Sequence, residues 1–252
     1  MSPKTVILFP DRDGCGFRGS FGKDLLQDFG ATATLVPILN GENSLLLTER
    51  AQEAERLGFR PIVSGNLLGL REVLQKGYQH VSFTHPYSAI VRLDTEDHPL
   101  NKISYLTQKA IEVGGMSVGC LELSPKAAAP GSIEDFANAD LFPTLFSQFS
   151  GGRIILTGAS GFKAFAPGVC GQLLPEAIRI MEEAERISVP KQLRYGFDCA
   201  MILSAFHQSI PIHVSWIPTD RPENKPRTRI IEQFDCALRI CRAAEKIKRN
   251  LR

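Results

Sequence analysis

Much is missing from this sequence of 252 residues, and each absence excludes something. No apolar run approaches the roughly 18 to 20 residues of a membrane-spanning helix. The opening MSPKTVILFP has one Lys and about six apolar residues, too short a core for a secretory signal, so a cytoplasmic location is expected. There is no excess of one charge: 29 Lys+Arg stand against 27 Asp+Glu, a net +2, which is not the footprint of a nucleic-acid-binding protein. The six cysteines form no C-x-x-C pair and the five histidines no H-x-x-x-H pair, so neither a zinc site nor a disulfide framework is indicated. Free thiols in a reducing compartment are the expectation. No fixed-period repeat and no low-complexity linker interrupts the chain. With 43% apolar and 22% charged residues, it has the composition of a globular fold and not of a disordered chain.

What is present alternates between two periods. Thr5–Pro10, Ala31–Leu39, Arg60–Ser64, Ala89–Leu93 and Met116–Leu123 read as strands. Between them Gly22–Phe29, Ser44–Leu57 (with Gly58 as cap), Leu67–Lys76 (ending at Gly77) and Ile103–Val113 (ending at Gly114–Gly115) read as helices. Such alternation predicts an α/β fold with a mainly parallel sheet, whose ligand crevice lies at the carboxyl ends of the strands. The second half is less regular. Ile133–Ser150 reads as a broken helix, Arg153–Leu156 as a short strand and Gly158–Lys163 as a Gly-rich turn. Gly171–Ile187 and Ile230–Leu251 read as helices, Pro211–Ile217 as a strand, and Asp220–Arg229 as a basic loop. The expected organisation is one composite domain over 1–252, with a nucleotide-type half to about residue 125 and an acceptor half from about 126.

Several constellations can carry chemistry. Asp94-x-Glu96 follows a buried strand, where two carboxylates can hold Mg²⁺ or Mn²⁺; the same residues also suit an acidic turn opening a helix. Gly14-x-Gly16-x-x-Gly19 spells the dinucleotide fingerprint, but Asp11–Arg12–Asp13 separate it from the strand. Asp11-x-Asp13-Gly14 after an apolar run is similar to the start of haloacid-dehalogenase-type phosphatases, with Asp11 as nucleophile. Arg221, Lys225, Arg227 and Arg229 place four cations in nine residues and can clamp a phosphate, or serve as a solvated loop. Asp198 stands among apolar residues, as a general base or as a helix cap. His213 on the alternating strand reads as a core or rim histidine.

Taken in order, these segments resemble glycosyltransferase family 2, whose domain has the nucleotide-diphospho-sugar transferase (GT-A) fold, a three-layer α/β/α arrangement. The soluble polyprenyl-phosphate sugar transferases, of the dolichyl-phosphate mannosyltransferase type, are the nearest in look. Phe9–Gly14 is similar to the family's first Pro-containing turn, and Ile38–Glu42 stands where its second acidic turn lies. Gly65–Gly77 resembles its G-N-x-G stretch, and Leu93–Pro99 its D-x-D turn. Ser160–Phe165 resembles S-G-F-R-A-F, Arg194–Asp198 resembles Y-G-F-D, and Ile212–Trp216 resembles its late V-x-V-P-V-x-W strand. The resemblance spans about residues 4 to 245.

It implies a metal-dependent glycosyltransferase that moves a sugar from a nucleotide-diphospho-sugar to an acceptor, a polyprenyl phosphate among the candidates. Pro10, Asp11, Asp13, Asn40, Asn66 and Asp94 would then bind the nucleotide-sugar. Asp94 and Glu96 would hold Mg²⁺ or Mn²⁺. Asp198 would act as base, and Arg221, Lys225, Arg227 and Arg229 would hold phosphate. A lipid acceptor would be met by peripheral contact with the membrane, and no nucleic acid partner is expected. Asn40 where the family has Asp, Asp13–Gly14 where its first turn has Asn-Glu, and Glu96 where it has a second Asp keep a non-catalytic nucleotide- or partner-binding relative as the alternative reading.

Overall fold

The computed structural model describes residues 4–64, 69–84, 86–94, 99–123, 145, 147–149, 161–188, 193, 196–219 and 227–250. The chain divides into two compact units, one of residues 1–116 and 162–172, the other of residues 117–161 and 173–252. The first unit contains β1 (Lys4–Arg12), β2 (Ala33–Asn40), β3 (Ile62–Val63), β4 (Tyr87–Arg92) and β6 (Lys163–Phe165). They lie in the order β3-β2-β1-β4-β6. All pairings are parallel except β4 with β6. Helices α1 (Cys15–Arg18), α2 (Ser20–Phe29), α3 (Ser44–Leu57), α4 (Leu70–Thr84) and α5 (Ile103–Val113) alternate with these strands. The mainly parallel α/β architecture expected from the alternation is present.

The order of the strands positions the crevice. From β1 the chain steps outward to β2 and β3, then crosses back to β4 on the other side of β1. Right-handed crossovers put the helices of the two directions on opposite faces, so a gap opens at the carboxyl ends of β1 and β4. Pro10 fits this gap. The β1–β4 ladder ends at Leu8↔Arg92, with a last bond from Leu93 N to Leu8 O. Pro10 comes after that point, where β1 needs no N–H toward β4.

Local chemistry explains the elements. In α3 the Asn43 side chain accepts from Leu45 N and Leu46 N, and Gly58 at φ 99° ends the helix in the left-handed region. Gly114 at φ 61° does the same for α5. The core of the first unit is apolar: Ile7, Leu8 and Phe9 of β1, Ile38 and Leu39 of β2, and Ile90 and Val91 of β4 are fully buried. Phe9 meets Phe21 and Phe59 edge-on, Phe17 packs on Phe59 at a tilt of 58°, and Tyr78 meets Phe165 with centroids 5.7 Å apart.

Three expectations change. Helix α4 does not stop at Gly77 but continues to Thr84, because Gly77 is the point of closest approach to the sheet: a Cβ there would lie 2.3 Å from Ile38 Cδ1. The helical segment near Gly22 begins earlier and breaks at Gly19 into α1 and α2. Lys163, read as the end of a Gly-rich turn, instead opens strand β6. The segments 133–144 and 151–160 lie outside the described residues.

The second unit contains β5 (Met116–Leu123) beside β7 (Ile212–Thr219), most of α6 (Val169–Arg186), α7 (Gly196–His207) and α8 (Arg227–Asn250). Residues Gly196–Ala205 of α7 are all buried, so this helix is the spine of the unit. Ser204 Oγ donates to Leu173 O at 2.8 Å, and His207 Nδ1 lies 2.8 Å from Glu176, tying α7 to α6. Lys246 of α8 pairs with Glu183 at 2.5 Å. No described helix is long and apolar enough to cross a membrane.

Two measurements check this packing. Gly77→Val should cost about 2 kcal/mol by forcing α4 off the sheet, read as a lower urea midpoint with unchanged slope. All six cysteines are free and five are buried, with burial pushing the Cys170 thiol up to about 12. Native alkylation should therefore modify Cys15 alone, and the other five only after unfolding.

Candidate functional site

The carboxyl ends of β1, β2 and β4 bring together several of the residues singled out above. Asp11, 2% exposed, is in the β1 ladder opposite Leu39. Its two oxygens accept from Gly16 N and Phe17 N, each at 2.8 Å. The carboxylate thus folds the chain back on itself and opens α1. Burial raises its pKa above the ordinary aspartate value; the two N–H donors lower it, and nearby Asp13 adds to the rise. A phosphatase nucleophile must present an oxygen to its substrate, whereas both oxygens of Asp11 are engaged in the turn.

Asp13 takes a left-handed backbone, φ 55°. Its N–H donates to Asn40 O at 2.9 Å, and its carboxylate covers Gly41, where a Cβ would stand 2.1 Å from Oδ1. A larger residue at position 41 would have to displace this carboxylate. Asp13 is partly exposed and lies 3.7 Å from the Arg12 guanidinium. The Gly14-x-Gly16-x-x-Gly19 string falls in this turn and the four-residue α1. Gly14 at φ 73° makes the bend, with the Arg50 side chain against it. Arg50 and Arg18 both pair with Glu53, holding its carboxyl below the usual range and fastening the turn to α3.

At the end of β2, Asn40 is buried beside Ser64. The Ser64 hydroxyl lies 2.9 Å from Leu39 O and 3.3 Å from Asn40 Oδ1, and Lys76 Nζ donates to Ser64 O at 2.5 Å. At the end of β4, Asp94 Oδ1 lies 2.8 Å from Arg92 Nη1, with Arg92 1% and Asp94 36% exposed on the side chain. Pro10, Asp11, Asp13, Asn40 and Asp94 thus stand at one edge of one unit, on the ends of adjoining strands.

Asn66, Glu96, Arg221 and Lys225 lie outside the described residues. Arg227 and Arg229 begin α8 instead of ending a loop. Asp198 is in the second unit, 5% exposed in the first turn of α7, where the positive helix end favours a carboxylate. His213 is half-buried on β7. Among the described residues no group of three or more His, Cys, Asp or Glu side chains is gathered as for a metal.

Sequence reasoning passed over Arg92, Ser64 and Lys76. A basic residue inside the apolar run Ala89–Leu93 was the available signal for the first.

The Asp11 assignment makes a signed prediction. Its folded pKa is raised, so the folded state holds that proton more tightly than the unfolded state. Ionised Asp11 therefore costs stability at neutral pH, and the cost is relieved as pH falls from the raised folded value to about 3.9, the unfolded value. Over that window wild type should gain stability relative to Asp11→Asn in paired denaturation series. A gap that is flat with pH would refute the assignment.

No family model and no curated protein matches the sequence. Solved structures do. Glucosyl-3-phosphoglycerate synthase from Mycobacterium tuberculosis, in complex with UDP, superposes with a TM-score of 0.62 at 10% identity, covering 97% of this chain and 81% of that one. The same enzyme with Mn²⁺, UDP-glucose and phosphoglyceric acid gives 0.62 at 11% identity, covering 97% and 80%. A further structure of that synthase gives 0.56 at 13% identity, covering 97% and 81%. At such identities the likeness speaks to architecture: the fold of this chain is the nucleotide-diphospho-sugar transferase (GT-A) fold.

Proposed function

We propose that the protein is a metal-dependent glycosyltransferase that uses a nucleotide-diphospho-sugar donor. The observation that carries the reading is the coincidence of a GT-A fold with Asp11, Asp13, Asn40 and Asp94 at the carboxyl edge where the strand order reverses. The neighbours' UDP, UDP-glucose and Mn²⁺ supply the class of donor and ion. The residues fit that ion in their donor chemistry. Asp94 offers hard carboxylate oxygen, is a third exposed, and sits at the switch point. Mg²⁺ or Mn²⁺ would be held by Asp94 and Glu96, with diphosphate and water oxygens completing its shell. When bound, the ion supplies charge neutralisation at the leaving diphosphate.

The chain's own residues do the rest. Asp11 holds the first turn. Pro10, Asp13 and Asn40, together with Asn66, are the residues assigned to binding the nucleotide-sugar. Asp198, at a helix N-terminus, takes the proton of an acceptor hydroxyl. Arg221, Lys225, Arg227 and Arg229 hold phosphate on the donor or acceptor. Phosphoglyceric acid in the neighbours and a polyprenyl phosphate have an anionic phosphate in common, so a phosphorylated acceptor is the class proposed. A polyprenyl phosphate would be reached by peripheral contact with a membrane, and its anionic phosphate oxygen would need no base, so the role of Asp198 applies to an acceptor that presents a hydroxyl. The ion pair between Asp94 and buried Arg92 ties up part of the proposed metal ligand and, with the departures at Asn40, Asp13–Gly14 and Glu96, favours a binding-only relative.

A thermal-shift series with UDP- and GDP-sugars, with and without Mn²⁺, tests the reading. A true donor at 100 times its Kd stabilises the fold by about 2.7 kcal/mol. Asp94→Asn keeps an acceptor for Arg92 and should lower sugar turnover by at least about 100-fold without unfolding the protein. No stabilisation by any nucleotide-sugar, or full turnover in Asp94→Asn, would overturn it. Stabilisation without turnover across phosphorylated acceptors would select the binding-only relative.

A further inference from the structure

The end of β3 carries more bonds than a two-residue strand needs. Ile62 and Val63 pair with Ile38 and Leu39 of β2, and the Ser64 N–H continues the pairing to Leu39 O at 2.9 Å. Ser64 is 2% exposed, yet its side chain is a hydroxyl. That hydroxyl lies 2.9 Å from Leu39 O and 3.3 Å from Asn40 Oδ1 and shares its one proton between them. Lys76 Nζ, from the second turn of α4, donates to Ser64 O at 2.5 Å and pins the backbone that carries the hydroxyl. Alanine would pair with β2 as well, because the N–H alone serves that purpose. The hydroxyl therefore has its use at Asn40.

What an amide presents depends on which way it is turned. A carboxylate has two equivalent acceptor oxygens, whereas Asn has an acceptor at one end and two donor hydrogens at the other. Asn40 is 9% exposed at the carboxyl end of β2, and its carbonyl accepts from Asp13 N, so it sits against the first turn of the proposed donor site. Nucleobases differ in the order of donors and acceptors along their edges. An amide held in one orientation discriminates between such edges, and one free to turn accommodates several.

Resting on the glycosyltransferase reading, we propose that Ser64, pinned by Lys76, is a positioning residue that holds the Asn40 amide in one orientation and so sets which nucleobase the donor site accepts. Asn40 meets the nucleoside. The hydroxyl behind it keeps the amide from turning, and the ammonium keeps the hydroxyl in place. Neither Ser64 nor Lys76 need touch the donor.

Calorimetric titration of the full chain with UDP, GDP, CDP and ADP, each with Mn²⁺, tests this. Wild type should prefer one base over the others by at least about tenfold. Ser64→Ala should narrow that preference by about three- to tenfold, the worth of one hydrogen bond, while melting stays cooperative. Ser64→Thr keeps the hydroxyl and should keep the preference. Asn40→Ala should narrow the preference by itself, and adding Ser64→Ala to it should change nothing further, a coupling that a merely structural role would not produce. Lys76→Met keeps the stem but not the donor. It should narrow the preference in the same direction, and it carries the test should Ser64→Ala fail to fold. A preference unchanged in the folded variants overturns the proposal. So does an equal weakening for all four nucleotides, which is a loss of the frame and not of selectivity. Wild type that binds all four alike overturns the proposal and leaves the glycosyltransferase reading standing. Wild type that binds none of them removes both.

Discussion

The parting of β1 from β4 is the constraint on which the first unit depends. Up to Leu8 and Arg92 the two strands share a ladder; beyond it β1 continues with β2 alone. A parallel sheet whose connections reverse direction must leave a gap there, because helices arriving from opposite faces cannot cover both carboxyl ends. Pro10 is tolerated at that place for the same reason. Once the gap exists, the residues after each strand become its walls: Asp11 to Gly14 on one side, Asn40 and Gly41 beside them, Leu93 and Asp94 across from them. The turn at Asp11 is rigid through two charge-assisted hydrogen bonds, and the Asp13–Gly41 contact locks the first turn to the second. A preorganised rim of this kind loses little entropy on binding a ligand.

The second unit is organised differently. It depends on α7, a helix apolar nearly all round, as expected of a segment with neighbours on every side. Its neighbours are held by polar bonds at the ends, Ser204 to Leu173 and His207 to Glu176, and by α8, where Gly196 lets Cys236 and Ile240 approach. Asp198 is the exception in that apolar run. A carboxylate 5% exposed is tolerable at a helix N-terminus, where backbone N–H groups and the helix dipole favour its charge. Elsewhere on the same helix it would be far more costly.

How much could be read from the sequence follows from the range of each interaction. Helices α3 and α5 and strand β5 were legible to the residue, because their caps are local: Asn43 and Gly58 flank one helix, Gly114 ends another and opens the way to the strand. Gly77 misled for the opposite reason. Its smallness serves Ile38 and Leu8, residues far away in the chain, and a glycine required by a distant contact reads like a glycine that ends a helix. Asp11, Asn40 and Asp94 could be placed at the carboxyl edge from strand ends alone. That Asp11 is consumed by Gly16 and Phe17 could not, since this needs the path of the turn. The pairing of Arg92 with Lys163 joins positions 71 residues apart and exists only once the register of an antiparallel strand is known.

Where this fold places its buried charges separates stability from function. Among the described residues of the first unit Asp11, Arg71, Arg92 and Lys163 are buried, and the three that stand on strands, Asp11, Arg92 and Lys163, all lie at the carboxyl edge. Lys163 is among them because β6 runs antiparallel and so begins where β4 ends. Buried ions are a poor means of stabilising a sheet, and well-packed apolar side chains of similar volume would often do better. Their concentration at the one edge where the strands part, with the middles of β1 and β4 wholly apolar, indicates that the expense serves something that binds there. A ligand with both negative oxygens and a divalent cation matches the two signs of charge on that edge, the carboxylates of Asp13 and Asp94 and the cations of Arg92 and Lys163. At 10–13% identity to the solved structures, few side chains remain in common. What the likeness carries over is the topology; the polarity of this one edge is this chain's own, and the proposed nucleotide-sugar site rests on it.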